Sequence, residues 1–173
     1  LGDVYKRQVI NTGVAGSLNN TLEIGDIVLS RCAQQHDMDV SPLGDPVGII
    51  PRMDESIFAA DETLVKLAKE ASEKANSDII CHVGKVVSGD QFIADGEKKQ
   101  YLIDTFEGDC AEMEGAAMAQ VAYLNHIPFL IIRAISDKAD NSGHMDYPTF
   151  AKQAITHTVA LLKEMYTLLI ERR

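Results

Sequence analysis

The sequence predicts an α/β fold, and two observations support this. Short segments with apolar residues at successive positions alternate along the chain with longer amphipathic segments. Successive apolar residues are typical of strands buried on both faces, as in a sheet covered by helices on each side. The chain has 173 residues and is 46% hydrophobic, which is enough for one domain with a sizeable core.

Five segments have the pattern of buried strands, and most of their central residues are apolar. They are residues 9 to 13, 25 to 32, 79 to 89, 109 to 114, and 128 to 136. Residues 36 to 53, which contain three prolines, form the longest predicted loop.

Four helices are predicted between and after these strands. Asp61 is the expected N-cap of a helix over 61 to 75, and Asp95 is the expected N-cap of one near 96 to 106. An alanine-rich helix is predicted from about 114 to 125. The last helix is predicted over about 148 to 171, with Pro148 in its first turn.

Composition excludes several classes of partner. The net charge of −10 argues against binding to nucleic acid, which requires clustered Lys and Arg. Three widely spaced cysteines predict neither a disulfide framework nor a zinc site. No apolar run approaches the roughly 18 residues of a membrane span, so a cytoplasmic protein without a membrane partner is expected.

The start of the chain differs from the rest. The chain begins with Leu1, and the polar residues 1 to 8 change abruptly into the first predicted strand. We hypothesise that residues 1 to 8 are non-native or disordered. Residues 9 to 173 then form a single domain that lacks its native amino-terminal part.

Polar motifs follow four of the predicted strands, where open α/β sheets bind ligands. The first is Gly13 to Ser17, whose small residues allow a ligand to approach the backbone, although a tight turn is an equal interpretation. Residues 88 to 93, "SGDQFI", form the second.

No histidine cluster completes a metal site around "HDMD" (36 to 39), so no metal is expected, and His36 is interpreted as a hydrogen-bonding residue of a loop or interface.

Glu112, Met113 and Glu114 place two carboxylates at a transition from strand to helix. The two carboxylates are expected to point to different faces at this transition, so only one of them faces a ligand easily. A carboxylate there suits a sugar diol, because it accepts two hydroxyl hydrogen bonds. The alternative is that Glu112 and Glu114 cap the following helix.

Ser136 and Asp137 end the last apolar run. Asp137 is expected in a partly dry crevice, where desolvation raises the pKa of a carboxyl group and suits it to proton donation near neutral pH. Ser136 is placed to orient it. The alternative is a capping role for Asp137 at the next helix.

Six motifs together resemble the 5′-methylthioadenosine/S-adenosylhomocysteine nucleosidases, a family of the purine nucleoside phosphorylase superfamily. In chain order they are "INTGVAGSL", "GDIVLS", "QHDMDV", "VVSGDQFI", "AEMEGAAMAQVA" and "IIRAISDKAD". The resemblance extends from about Val9 to the end of the chain. It implies a three-layer α/β/α fold with a central mixed sheet of the nucleoside phosphorylase type.

The resemblance also implies a reaction. The implied enzyme hydrolyses the adenine–ribose bond of 5′-methylthioadenosine, S-adenosylhomocysteine and 5′-deoxyadenosine, without metal or cofactor. This chemistry belongs to methionine salvage and to removal of a methyl-cycle product. The sugar passes through an oxocarbenium-like state, as in other glycoside hydrolyses.

Residue roles follow from the position of each residue in the family motifs. Asp137 protonates adenine N7 and Ser136 holds its carboxylate, while Glu114 binds the ribose 2′ and 3′ hydroxyls. The remaining predicted contacts with the nucleoside are Glu112, Met113, Arg133, Phe92, Ile93 and Val14; of these, Phe92 stacks on adenine and Ile93 binds its edge through the backbone.

Loop 36 to 53 matches the segment that reaches the neighbouring subunit's site in the family, so a homodimer is implied. Leu43 and Pro51 occupy the positions that cover the 5′-thio group of the partner's ligand. The family's water-activating glutamate lies upstream of the first motif. We therefore expect residues 1 to 173 alone to hydrolyse nucleosides poorly.

Two rival interpretations remain. One is another enzyme of the superfamily, such as a nucleoside phosphorylase, a futalosine nucleosidase or an AMP nucleosidase. Phosphorylases carry arginine and serine, which bind phosphate, at the positions of Asn11 and Val14. This chain has neither residue there, which favours water over phosphate as the nucleophile. The other rival is a nucleoside-binding or dimerisation domain without catalytic activity.

Overall fold

A computed structural model describes residues 8 to 140 and 143 to 171. The hypothesis about residues 1 to 8 concerns a segment that, apart from Gln8, lies outside the described residues. The part that is described contains six strands and four helices: β1 (Val9–Ser17), β2 (Ile27–Gln35), β3 (Ile57–Ala59), α1 (Glu62–Ala75), β4 (Cys81–Ser88), α2 (Gly96–Phe106), β5 (Cys110–Glu112), α3 (Gly115–Leu124), β6 (Phe129–Asp137) and α4 (Gly143–Glu171).

The strands form one mixed sheet in the order β3-β2-β4-β5-β1-β6. The pairs β1–β6, β2–β4 and β4–β5 are parallel, whereas β1–β5 and β2–β3 are antiparallel. The predicted mixed sheet is confirmed. In addition, β2 pairs with β6 in an antiparallel manner, so the sheet curls until these two strands meet.

Helices cover both faces of the sheet. All nine residues of β6 are buried, and their side chains alternate between two apolar clusters. Leu130 and Ile132 pack with residues of α1 and α4. Ile131 and Ile135 pack with alanines of α3 on the other face. The predicted α/β fold with helices on both sides of the sheet is therefore confirmed.

The predicted helix caps are confirmed as well. The Asp61 carboxylate accepts a hydrogen bond from the backbone N–H of Leu64 at 2.9 Å, and Asp95 accepts from the first turn of α2. The prediction for α4 was wrong at its start, because the helix begins at Gly143. Pro148 is therefore its sixth residue, where it removes one helical hydrogen bond.

The prediction missed β3, and it ended β1 and β2 too early. β3 is an edge strand of three residues, which is too short to show a periodic pattern. β1 continues to Ser17, four residues beyond the predicted end, because its second half pairs with both β6 and β5. Its register with β6 shifts between Ala15 and Gly16, and this bulge lies beside the last residue of β6.

Candidate active site

One cavity of about 410 Å³ lies where several strands end. Residues from the ends of β1, β5 and β6 and from the segment after β4 line it: Val14, Ala15, Gly16, Gln91, Phe92, Ile93, Ala111, Glu112, Met113, Glu114, Ser136 and Asp137. The four motifs that the sequence places after strands therefore meet in a single cavity. Its size suits a small organic molecule.

Asp137 lies at the inner wall of this cavity and is 2% exposed. Its Oδ2 accepts a hydrogen bond from Ser136 Oγ at 3.0 Å, and its Oδ1 accepts one from the backbone N–H of Ala139 at 2.8 Å. The chain turns sharply after Asp137, since Ala139 has a φ of 51°. The carboxylate is therefore held in one orientation, as the prediction for Ser136 requires.

The bulge in β1 creates room for this carboxylate. A Cβ atom added to Gly16 would lie 2.7 Å from Asp137 Oδ1 and 2.8 Å from the Ala139 Cβ. Both distances are shorter than van der Waals contact, so a larger residue would displace Asp137 or the turn. Gly16 is thus required for close approach of β1 to the end of β6.

Glu112 is buried against Arg133. The Arg133 Nε donates to Glu112 Oε2 at 3.0 Å, and its Nη2 contacts the same oxygen. The backbone N–H of Gly115 donates to both Glu112 oxygens, at 2.9 and 2.8 Å, and the Ser88 hydroxyl contacts Oε1. Glu112 therefore caps α3, which matches the capping alternative for this residue.

Arg133 is 1% exposed and is not among the residues that line the cavity. It lies behind Glu112, so its predicted contact with a sugar stays a prediction. The guanidinium carries the positive charge that a buried carboxylate needs as a partner. Its Nη2 is also 3.8 Å from Glu114 Oε2, so it connects the two carboxylates.

Of the three carboxylates among the described residues that line the cavity, Glu114 is the one whose oxygens are exposed and open to a ligand. Its side chain is 72% exposed and makes no capping hydrogen bond, although it occupies the N-cap position of α3. Met113 lies beside it and is half exposed. The two glutamates thus have different surroundings, as expected. The reason is that β5 ends at Glu112, whereas Glu114 is the N-cap of α3 with a ψ of −27°, outside the extended conformation in which residues two apart share a face.

The segment after β4 supplies an aromatic wall. Phe92 is 48% exposed and lines the cavity, whereas the neighbouring Ile93 is buried. The segment is tied to the end of β2, because the backbone N–H of Asp90 donates to Asp37 Oδ2 at 2.8 Å. Val14 of β1 lines the cavity as a half-buried side chain.

Leu43 and Pro51 do not line this cavity in their own chain. Leu43 belongs to a short 3₁₀ helix, Ser41–Leu43, and its side chain is 83% exposed. Pro51 is half-buried in a turn. Their predicted role concerns a second subunit and stays a prediction.

His36 follows β2 and is fully buried. Its ring packs against Gly89, where an added Cβ would lie 2.5 Å from the ring carbon Cε1, and against Phe106. Neither ring nitrogen has a hydrogen-bond partner among the described residues, so the expected hydrogen bond of His36 is not found there. Burial lowers the pKa of His36, and the nearby Asp37 carboxylate opposes this effect only partly.

The described residues contain neither a metal-binding cluster nor a membrane-spanning helix. No group of three or more His, Cys, Asp or Glu side chains that could hold a metal occurs within residues 8 to 140 and 143 to 171. In the same part of the chain, none of the helices combines the length and apolar character needed to cross a membrane.

Sequence reasoning missed two polar residues that support the site. Ser88 ends β4, contacts Glu112 and accepts a hydrogen bond from the Ala116 N–H at 2.7 Å. Lys99 of α2 donates to the backbone carbonyl of Lys138, directly after Asp137. The "SGDQFI" motif pointed to the Ser88 region, but no local pattern links Lys99 to Asp137.

The fold and the site define an α/β enzyme with one buried acid and one open carboxylate in a cavity at strand ends. The family model for the phosphorylase superfamily matches residues 3 to 167. The chain therefore belongs to the phosphorylase superfamily.

Relatives with known names support this assignment. The chain is 39% identical to a 5′-methylthioadenosine/S-adenosylhomocysteine nucleosidase of Bacillus cereus over 167 residues, which cover 93% of this chain and 71% of the relative. It is 36% identical to an aminodeoxyfutalosine nucleosidase of Helicobacter pylori over 160 residues, with 92% and 68% covered.

Solved structures of nucleosidases have the same fold. A futalosine hydrolase of Helicobacter pylori superposes with a TM-score of 0.87 at 34% identity, covering 93% of this chain and 68% of that chain. A 5′-methylthioadenosine/S-adenosylhomocysteine nucleosidase of Neisseria meningitidis, in complex with methylthio-immucillin-A, superposes with a TM-score of 0.86 at 34% identity, with 92% and 69% covered.

Proposed function

We propose that the protein hydrolyses the N-glycosidic bond of 5′-methylthioadenosine and S-adenosylhomocysteine, and also that of 5′-deoxyadenosine. The products are adenine and the corresponding 5′-substituted ribose. The observation that carries the proposal is the arrangement of a fixed, buried Asp137 and an open Glu114 in one nucleoside-sized cavity. The names of the relatives from Bacillus and Neisseria support the choice of substrate.

Asp137 acts on the adenine side. Adenine is a poor leaving group until it is protonated, so Asp137 donates a proton to N7 as the bond between C1′ and N9 breaks. The bonding electron pair stays with adenine, and water adds its oxygen to C1′ and loses one proton, which balances the proton that Asp137 gives to N7. The hydrogen bonds from Ser136 and from the Ala139 N–H hold the carboxylate after it has lost the proton.

Glu114 acts on the ribose side. Its open carboxylate accepts hydrogen bonds from the 2′ and 3′ hydroxyls, and charge-assisted bonds of this kind are strong. Arg133 and Glu112 form a buried support beneath it, and Met113 borders the sugar. The hydrogen bonds become stronger as positive charge develops on the sugar ring.

The base is bound by apolar contacts and by backbone groups. Phe92 stacks on the adenine ring from the exposed side of the cavity, and the backbone of Ile93 binds the edge of the ring. Val14 packs against the nucleoside from β1. This set selects a purine without a cofactor or a metal ion.

Water is the proposed nucleophile, because the described residues that line the cavity provide no cationic site for phosphate. None of the described residues that line it is Lys or Arg, and Arg133 is occupied by Glu112. Phosphate binding relies on such groups or on clustered backbone N–H donors. Asn11 and Val14 stand where phosphorylases carry arginine and serine.

The proposed experiment follows adenine release from 5′-methylthioadenosine with and without phosphate. We expect free methylthioribose as the second product, at a rate that phosphate does not change. A phosphate-dependent rate with a sugar 1-phosphate product would assign the protein to the phosphorylases instead. Chromatography separates the two sugars.

A second candidate is hydrolysis of aminodeoxyfutalosine, which the Helicobacter relative at 36% identity favours. Comparing kcat/KM for 5′-methylthioadenosine, S-adenosylhomocysteine and aminodeoxyfutalosine decides between the candidates. A preference for aminodeoxyfutalosine of about a hundredfold would replace the first candidate with the second.

We also infer that the protein works as a cytoplasmic homodimer in methionine salvage. The exposed Leu43 and the neighbouring Pro51 would cover the 5′ group of the ligand in the partner subunit. Large exposed apolar side chains such as Leu43 commonly mark an interface when they occur in patches. Sedimentation velocity tests this inference, since a monomer with full activity would contradict it.

A further inference from the structure

The turn after Asp137 is tied to two other parts of the molecule through lysine residues. On one side, Lys138 Nζ donates to the backbone carbonyl of Leu22 and lies 2.8 Å from Glu23 Oε2. On the other side, Lys99 Nζ of α2 donates to the backbone carbonyl of Lys138 at 2.7 Å. The turn is therefore attached both to α2 and to the loop before β2.

Lys99 is well placed to act on Asp137 through this turn. It is half-buried, and burial lowers the pKa of its ammonium group, while the carboxylates of Asp140 and Asp137 oppose that effect. Lys99 lies on α2, which begins three residues after Ile93. This helix therefore directly follows the segment whose Phe92 and Ile93 line the cavity.

The turn needs support from outside itself. Ala139 has a φ of 51°, in the left-handed region that residues with a Cβ adopt at an energetic cost. This conformation directs the Ala139 N–H toward Asp137 Oδ1. If the Lys138 carbonyl loses its donor, the turn can relax and release Asp137.

We infer that Lys99 is a positioning residue for Asp137. It holds the Asp137 to Asp140 turn from α2, while Lys138 holds the same turn from the loop before β2. The catalytic consequence rests on the proposed function, because Asp137 is the proton donor there. The structural consequence, an ordered Ala139 amide, does not depend on turnover.

The substitution Lys99→Met tests this role, because Met keeps the apolar stem of the side chain and removes the donor and the charge. Lys99→Arg restores a cationic donor. Lys98→Met is the matched control, since Lys98 is the preceding residue of α2 and its ammonium lies 4.9 Å from the centre of the Tyr101 ring, not on the turn.

The first measurement is hydrogen exchange at the Ala139 amide, followed by NMR. Lys99→Met should accelerate exchange by about tenfold or more, because it removes a hydrogen bond from a charged donor. Lys98→Met should match the unsubstituted protein, and Lys99→Arg should recover most of the protection. Equal exchange in the Lys99→Met and unsubstituted proteins would overturn the inference.

The second measurement separates kcat from KM for 5′-methylthioadenosine. Lys99→Met should lower kcat by about tenfold and leave KM within about threefold, since misplacing the acid affects the transition state more than substrate binding. An unchanged kcat would overturn the positioning role. If the unsubstituted protein releases no adenine even at the slow rate expected of residues 1 to 173, the proposed function fails, and the exchange measurement still decides whether Lys99 holds the turn.

Discussion

At the scale of single residues, the two glutamates of "EME" show how surroundings divide similar side chains. Glu112 is enclosed by Arg133, the Gly115 N–H and Ser88, so it serves the structure. Glu114 is exposed to the cavity and keeps its oxygens for a ligand. The two were expected to separate at the transition from strand to helix, but the choice between capping and binding depended on Arg133, which is 21 positions away in sequence from Glu112.

The substitution Glu112→Gln should destabilise the protein strongly. It leaves the buried Arg133 guanidinium with only the more distant and exposed Glu114 carboxylate, and breaking a buried pair in this way costs about 3 to 5 kcal/mol. Urea unfolding measures the change in the free energy of unfolding.

Glu114→Gln is the control for this prediction. It removes an equal charge from the exposed carboxylate near the same arginine, so the expected change in stability is below about 1 kcal/mol. Similar losses for the two variants would show that the Glu112–Arg133 pair is not the structural support that its burial indicates.

At the scale of elements, the capped starts of α1 and α2 could be predicted better than the start of α4 or the path of the sheet. Asp61 and Asp95 act on residues only two or three positions ahead, so their capping roles are visible in sequence. The edge strand β3 and the pairing of β2 with β6 depend on contacts between distant segments. The motifs indicated Asp137 and Glu114 as site residues because each lies within a local pattern. They could not indicate Lys99, because it contacts the carbonyl of Lys138, which is 39 positions away in sequence.

The bulge in β1 leads to a prediction about Gly16. Gly16→Ala should reduce turnover by at least about tenfold, because the added Cβ would lie 2.7 Å from Asp137 Oδ1 and displace the acid. Steady-state kinetics with 5′-methylthioadenosine measures the effect.

Gly96→Ala is the matched control, since an added Cβ there meets no atom within 4 Å at the start of α2. It should leave activity unchanged and raise stability slightly, by about 0.4 to 1 kcal/mol. Full activity in the Gly16→Ala protein would contradict the packing of β1 against the acid.

At the scale of the whole molecule, packing of the segment after β2 against Gly89 and against Phe106 of α2 buries His36. A folded-state pKa below the ordinary value of histidine means that the unfolded chain takes up a proton first as pH falls. The unfolded state then binds more protons than the folded state. The free energy of unfolding should therefore decrease as the pH is lowered below the ordinary pKa of histidine, about 6.5.

The variant His36→Gln removes this titrating group and should make stability less dependent on pH between about 5 and 7. Urea unfolding at several pH values measures the slope. His126→Asn serves as the control, because His126 is exposed and has a positive φ that asparagine tolerates. If the His36→Gln and unsubstituted proteins show equal slopes, protonation of His36 does not limit stability at low pH.

The central claim is that Asp137 protonates adenine during hydrolysis of 5′-methylthioadenosine. The most direct test compares adenine release by the unsubstituted protein and by Asp137→Asn, with binding of the nucleoside measured by calorimetry in both. The account predicts adenine release that slows by at least about a hundredfold in Asp137→Asn, with affinity changed by less than about tenfold. Equal rates of adenine release from the two proteins would contradict it.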